Sequence, residues 1–219
     1  MKHFLARLLS LTFGLFLYAL GVVLSIKANI GYAPWDVFHV GLTYKLGFSI
    51  GTASILTGVV IVGIVIALGE KIGLGTLFNI VLIGVFIDLI FLTNTIPQQE
   101  KMPFGILQLI IGLFVISFGS YFYIKAAFGA GPRDSLMIAI NRKTKLSIGV
   151  CRSAIELTVT VMGWLLGGMV GPGTVIYVIA IGFFIQATFA LFKFVPSTVK
   201  HETLRETIKN LRCEKAASE

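Results

Sequence analysis

Three ionisable residues fall inside long apolar runs: Asp88, Arg152 and Glu156. A charge in hydrocarbon is expensive, so such groups face protein or water and often mark a substrate or ion path. Arg152 and Glu156 stand at i and i+4, on one face of a helix. That spacing suits an internal ion pair, and it equally suits a site for a polar solute or a coupling proton. A second set is written twice: Pro34-x-Asp36 after Gly31, and Pro132-x-Asp134 after Gly129 and Gly131. Proline is tolerated in the first turn of a helix, and aspartate there complements the helix dipole. The pattern serves as a turn-and-cap device. It also serves as a broken-helix N-terminus that lines a cavity and binds an anionic group. Lys27 and Lys125 each precede the matched aspartate by nine residues; they either snorkel to opposite interfaces or pair with the aspartates. Arg133 stands where the first element has Trp35. It can meet a lipid phosphate, pair with Glu156 or hold an anionic substrate.

No catalytic set accompanies these residues. His3, His39 and His201 are scattered, and there is no His-x-x-x-His or Cys/His cluster to ligate a metal. Gly-x-Ser-x-Gly and a phosphate-cradling Gly-Lys-Ser/Thr are also missing. We therefore expect no enzyme activity, no metal and no cofactor.

The elements that position these groups follow from composition. The 219 residues are 56% hydrophobic and 13% charged, with mean hydropathy +0.93. A soluble domain of this size cannot bury so much apolar surface. A polytopic membrane protein remains. Spans are expected at about 4–26, 49–69, 73–93, 103–125, 148–168 and 173–193. Segments 34–46 and 132–144 are too short to cross and read as re-entrant or interfacial helices. With six spans and a cytoplasmic N-terminus, 14 lysines and arginines lie inside, 3 outside and 1 within a span, which accounts for all 18. Both termini are then cytoplasmic. The net charge of +8 belongs to this bias and not to nucleic acid binding.

A shift of 98 residues aligns the chain with itself without a gap, with 24 identities between 14–93 and 112–191. Ile26-Lys27-Ala28 falls on Ile124-Lys125-Ala126, Ser49-Ile50-Gly51 on Ser147-Ile148-Gly149, and Gly73, Gly75 and Thr76 on Gly171, Gly173 and Thr174. Three spans per repeat is an odd number, so the second half enters the membrane from the opposite side. The expected fold is all-α, with six transmembrane helices as two inverted three-helix repeats, each carrying one short helix. The first repeat occupies 1–97 and the second 98–193. The tail 194–219 carries Leu204, Ile208 and Leu211 at helical spacing, as an amphipathic cytoplasmic helix would. The repeat is broken at the charges: Arg152 and Glu156 fall on Ser54 and Gly58, and Asp88 on Gln186. Symmetric residues have an architectural reason, whereas asymmetric buried charge needs a specific one.

Gly-Tyr-Ala-Pro-Trp-Asp (31–36), Gly-Ala-Gly-Pro-Arg-Asp (129–134), Ser-Ile-Gly (147–149) and Gly-Pro-Gly-Thr (171–174) together resemble the YczE/YyaS/YitT-type bacterial integral membrane proteins, the YczE-like branch above all. The resemblance covers about 15–190. It implies a bacterial cytoplasmic membrane location and supplies neither substrate nor catalytic residue. The residues themselves point to a small-molecule or ion transporter, with a small anionic or polar solute held at the repeat interface. A channel shares the architecture. A non-transporting accessory or scaffold protein, as a homodimer or within a partner membrane complex, is the alternative of a different class.

Overall fold

A computed structural model describes residues 2–216, which form nine α-helices and one short 3₁₀ turn. In order these are α1 (Lys2–Lys27), α2 (Pro34–Leu46), α3 (Ile50–Ala67), α4 (Leu74–Thr93), α5 (Met102–Lys125), α6 (Pro132–Thr144), α7 (Ile148–Leu165), α8 (Pro172–Leu191) and α9 (Leu204–Ala216). Six of them, α1, α3, α4, α5, α7 and α8, are long and apolar enough to cross a membrane. The 13-residue α2 and α6 reach only about 20 Å at 1.5 Å per residue, short of a bilayer's hydrocarbon.

The pair α1 and α5 forms the spine. Small residues let the two backbones touch: a Cβ on Gly14 would fall 2.8 Å from the Gly119 carbonyl oxygen, and one on Gly21 would fall 2.7 Å from that of Gly112. Glycine in such a seam replaces side-chain packing with backbone contact, a device suited to lipid, where apolar burial alone drives little association. Helix α4 packs on α1, and α8 packs on α5. Leu11, Leu15, Leu109, Leu113 and Ile116 fill the core between them.

The contacts recur at an offset of 98. Gly75 N–H donates to the Phe128 carbonyl at 2.7 Å, and Gly173 N–H donates to that of Ile30 at 2.7 Å. Gly31 and Gly129 both adopt positive φ, 114° and 121°, which glycine alone takes without strain. Each presses against the start of a helix from the other half, Gly31 on Gly171 and Gly129 on Gly73. The loop after α1 thus holds the start of α8, and the loop after α5 holds the start of α4.

Two faces can be distinguished. The start of α1, the end of α5 and α9 lie on one, here called the terminal face. Arg7 donates to the Ala126 carbonyl at 2.9 Å and meets Glu202 at 2.8 Å. The end of α1, the end of α4 and the start of α5 lie on the other, the distal face, where Gln99 N–H donates to the Lys27 carbonyl. The tail does more than follow a hydrophobic stripe. Glu202 and Leu204 N–H groups donate to Ala127 and Ile72 carbonyls, and Thr207 is buried. The side chain of Leu211 and residues 217–219 lie outside what the structure describes.

One contact is not repeated. Helices α3 and α4 pack together, with Gly51 against the Gly84 carbonyl and a Cβ on Gly84 falling 2.6 Å from the Gly51 carbonyl oxygen. Their counterparts α7 and α8 do not pack along each other. A Cβ on Gly149 or on Gly182 would meet nothing within 4 Å. Helices α7 and α8 are joined at the distal face by residues 166–171, and the seam between them opens toward the terminal face.

Candidate functional site

Helices α2 and α6 both begin deep in the bundle. Trp35, in the first turn of α2, packs against Ile61 and Val65 of α3 and against Leu136, Ile155 and Val159 of α6 and α7. By its last turn α2 has moved to the end of α7, where Tyr44 lies beside Gly167. Helix α6 runs the other way, and its Arg142 meets Glu70, just beyond the end of α3, at 3.1 Å. The two N-terminal ends meet centrally: the Arg133 guanidinium lies 4.7 Å from the centre of the Trp35 ring. Such contacts are worth about 0.5–2 kcal/mol. Arg133 makes no ion pair or hydrogen bond among the described residues, so its N–H donors are available.

Charged and phenolic groups collect around this point. Tyr18 of α1 lies within electrostatic reach of Arg133, Asp36, Asp134 and Arg152. Tyr177 of α8 lies within reach of Tyr18, Asp36, Arg133 and Glu156. The Tyr123 hydroxyl, the Asp134 carboxylate and the Asn79 amide converge on Gly131, at 3.1, 3.3 and 3.8 Å from where a Cβ would stand. Arg152 Nε donates to Glu156 Oε1 at 2.9 Å. The four half-helix residues Pro34, Asp36, Pro132 and Asp134 all occupy first turns, as their spacing predicts.

The surroundings differ between the halves. Asp36 is 3% exposed, whereas Asp134 is exposed. Ser54 and Gly58 are buried, whereas their counterpart Arg152 has a side chain 52% exposed and that of Glu156 is 22% exposed. These exposed groups border the open α7–α8 seam. An exposed pair of this kind contributes roughly 0.2–1 kcal/mol, which is too little to explain two charges in an apolar helix.

His39 was not singled out by sequence. It sits one turn after Asp36 with its Nδ1 3.5 Å from Asp36 Oδ1, and it is 1% exposed. Neither ring nitrogen has a hydrogen-bond partner among the described residues. A buried polar group left unpaired costs about 1–3 kcal/mol. The signal was available: Asp36 and His39 share a helix face at i and i+3, and the second repeat has Met137 at the matching position.

One expectation is corrected and one open alternative is closed. Asp88 does not join the other charges. It caps α3 at the distal face, accepting from Gly51 N–H at 2.8 Å and from the Ser49 hydroxyl at 2.5 Å. The free amides at a helix start explain an acidic residue there. Nor do Lys27 and Lys125 pair with Asp36 and Asp134. Lys27 lies over Phe91, and Lys125 donates to the Tyr121 hydroxyl at 3.1 Å. Each lysine ends its own helix, while the aspartate lies in the first turn of the next one. The described residues contain no cluster of three or more metal-ligating side chains.

Trp35 also lines an apolar cavity of about 530 Å³, bounded by α2, α3, α6 and α7. Its wall includes Leu56, Thr57, Leu136, Ile155 and the buried free thiol of Cys151.

Six apolar spans around two half-length helices, with charge held where those helices begin, define a multi-pass helical membrane protein. The chain belongs to DUF6198, a family of unknown function, whose model matches residues 5–189. It is 37% identical over 175 residues to the uncharacterized membrane protein YczE of Bacillus subtilis, covering 79% of this chain and 80% of that one. It is 35% identical over 176 residues to an uncharacterized protein of Haemophilus influenzae, covering 80% of each. Over 173 residues it is 30% identical to the uncharacterized protein YyaS of Bacillus subtilis, covering 75% of this chain and 83% of that one. No solved structure matches it.

Proposed function

We propose that the protein is a transporter for a small anionic or polar solute, built as two inverted repeats that expose a central site to each side of the membrane in turn. The observation that carries this reading is the unequal closure of equivalent seams. The α3–α4 seam is sealed through Gly51 and Gly84, and the matching α7–α8 seam is open at Gly149 and Gly182. Inverted repeats that exchange conformations convert a state open to one side into its two-fold equivalent, open to the other. A channel needs both ends open together; a scaffold needs neither seam to move.

Arg133 and Arg152 supply positive charge at the site, beside the starts of α2 and α6, whose dipole ends favour an anion. Asp36, Asp134 and Glu156 offset that charge, which suits a small solute with one anionic group and further polar ones. The lysine and arginine bias makes the terminal face cytoplasmic. On that orientation the open seam faces the cytoplasm, and α2 and α6 are re-entrant from opposite sides. Reporter fusions after Gln98 and after Glu219 test the orientation, since they report opposite sides.

Transport itself is tested with purified protein in liposomes loaded with a mixture of small metabolites. Export or exchange of individual solutes is read by mass spectrometry against empty liposomes. The reading expects at least one solute to move, and to stop moving with Arg133→Gln. A correctly folded protein that moves no solute in either direction leaves the scaffold reading in its place.

A further inference from the structure

We propose that Asp36 and His39 form a reversible proton-binding pair, and that it loads when an anion neutralises Arg133. The coupling part of this inference rests on the transport reading above; the proton site itself does not.

His39 lacks partners for its ring nitrogens among the described residues. A neutral imidazole carries one donor and one acceptor, and a protonated one carries two donors. His39 is 1% exposed and uses neither nitrogen among the described residues. Architecture does not require it, because Met137 fills the equivalent place in α6. Its neighbour is suited to a proton: Asp36 Oδ1 lies 3.5 Å from Nδ1, with side-chain exposures of 5% and 1%. A small rotation brings the two atoms to hydrogen-bond distance. A proton taken from water onto the imidazole then gives an imidazolium–carboxylate pair, with no other bond made or broken.

Three groups from neighbouring helices stand nearest the pair, with Asp134 of α6 and Arg152 and Glu156 of α7 beyond them. Arg133 comes from α6, Tyr18 from α1 and Tyr177 from α8. Helices α3 and α7 offer α2 apolar side chains near its start, Ile61, Val65, Ile155 and Val159. Arg133 lies over Trp35, one helical turn before His39 in α2, and from there its charge opposes a second positive charge on the imidazole. An anion bound to the guanidinium, which has no ion-pair partner among the described residues, removes that opposition. Binding of the anion then favours binding of the proton, and by reciprocity the proton favours the anion. Mutual enhancement at one central site makes the two cargoes move together, as in proton–anion symport.

Histidine NMR on the full-length protein in nanodiscs tests the pair, with imidazole nitrogens labelled and pH varied from about 5 to 8 around the ordinary histidine range. Loss of one resonance in His39→Gln assigns it; if that variant does not fold, removing His3 and His201 leaves His39 alone. Arg133→Gln stands in for the anion-neutralised state. The His39 midpoint should rise by about one unit or more in Arg133→Gln, and adding Asp36→Asn should reverse that rise. A His39 that stays neutral throughout in both the wild type and Arg133→Gln would overturn the proposal, as would a midpoint indifferent to Asp36. A titrating His39 in a protein that moves no solute would instead count against transport and leave the proton site standing.

Discussion

Arg133 lies over the ring of Trp35, and the two occupy the same position in the two halves of the chain, 98 residues apart. On the proposed inverted-repeat reading, a residue beside its own equivalent lies near the axis that would relate the halves. The Arg133 guanidinium lies 4.7 Å from the centre of the Trp35 indole. The contact joins the starts of α2 and α6.

That contact should be measurable as a coupling. Trp35→Phe and Arg133→Met each lower the thermal midpoint in detergent. The double variant should fall short of the sum by about 0.5–2 kcal/mol, the range for a cation over an aromatic face. Strict additivity would mean the two side chains do not interact.

Arg152 and Glu156 should matter more for activity than for stability. With Arg152 half exposed, the pair is worth roughly 0.2–1 kcal/mol. The double variant Arg152→Met with Glu156→Leu should fold with nearly unchanged stability and lose solute movement in liposomes. Full activity in that variant would remove both residues from the site.

The paired glycines should respond unequally. Gly51→Ala places a methyl group against the Gly84 carbonyl and Asp88, and should cost about 1–3 kcal/mol through overpacking. Gly149→Ala meets open space and should be close to neutral in the resting state. Thermal unfolding of both variants checks this, and equal losses would contradict the open α7–α8 seam.

Much of this arrangement was legible in the sequence, and the limits have physical causes. Spans and short helices follow from length and hydropathy, which are local. Pro34 and Pro132 fix the first turns of α2 and α6, because proline cannot sit further along. The contact between Arg152 and Glu156 is legible because i and i+4 share a face. Asp88 was misplaced because an apolar run shows that a charge is unusual but not which neighbouring helix starts beside it. His39 was passed over as solitary, although its partner lies within the same short helix. The difference between the two seams leaves no trace in sequence, since identical glycines line both.

At the tail, Glu206 caps α9. Its carboxylate accepts from the Thr203 amide at 2.7 Å and from the Thr203 hydroxyl at 2.8 Å, which holds its pKa below the usual carboxylate value. A depressed pKa in the folded state stabilises above the unfolded value, about 4.3, and that stability is lost as pH falls through the folded value. A spin label on Ile208→Cys should therefore stay ordered from neutral pH down to about 4.3 and gain mobility below it. With Glu206→Gln the acid-induced step should shrink, and an unchanged step would assign it to another group.

Alternating access is tested most directly by distances across the two equivalent seams. One spin-label pair replaces Val150 and Ala187 on α7 and α8, and the matching pair replaces Thr52 and Leu89 on α3 and α4. Pulsed dipolar measurements in nanodiscs should give two populations for each pair. The 150–187 distance should be mainly long and the 52–89 distance mainly short, and conditions that shorten the first should lengthen the second. A single fixed distance for both pairs, unmoved by pH or by Arg133→Gln, would contradict the account.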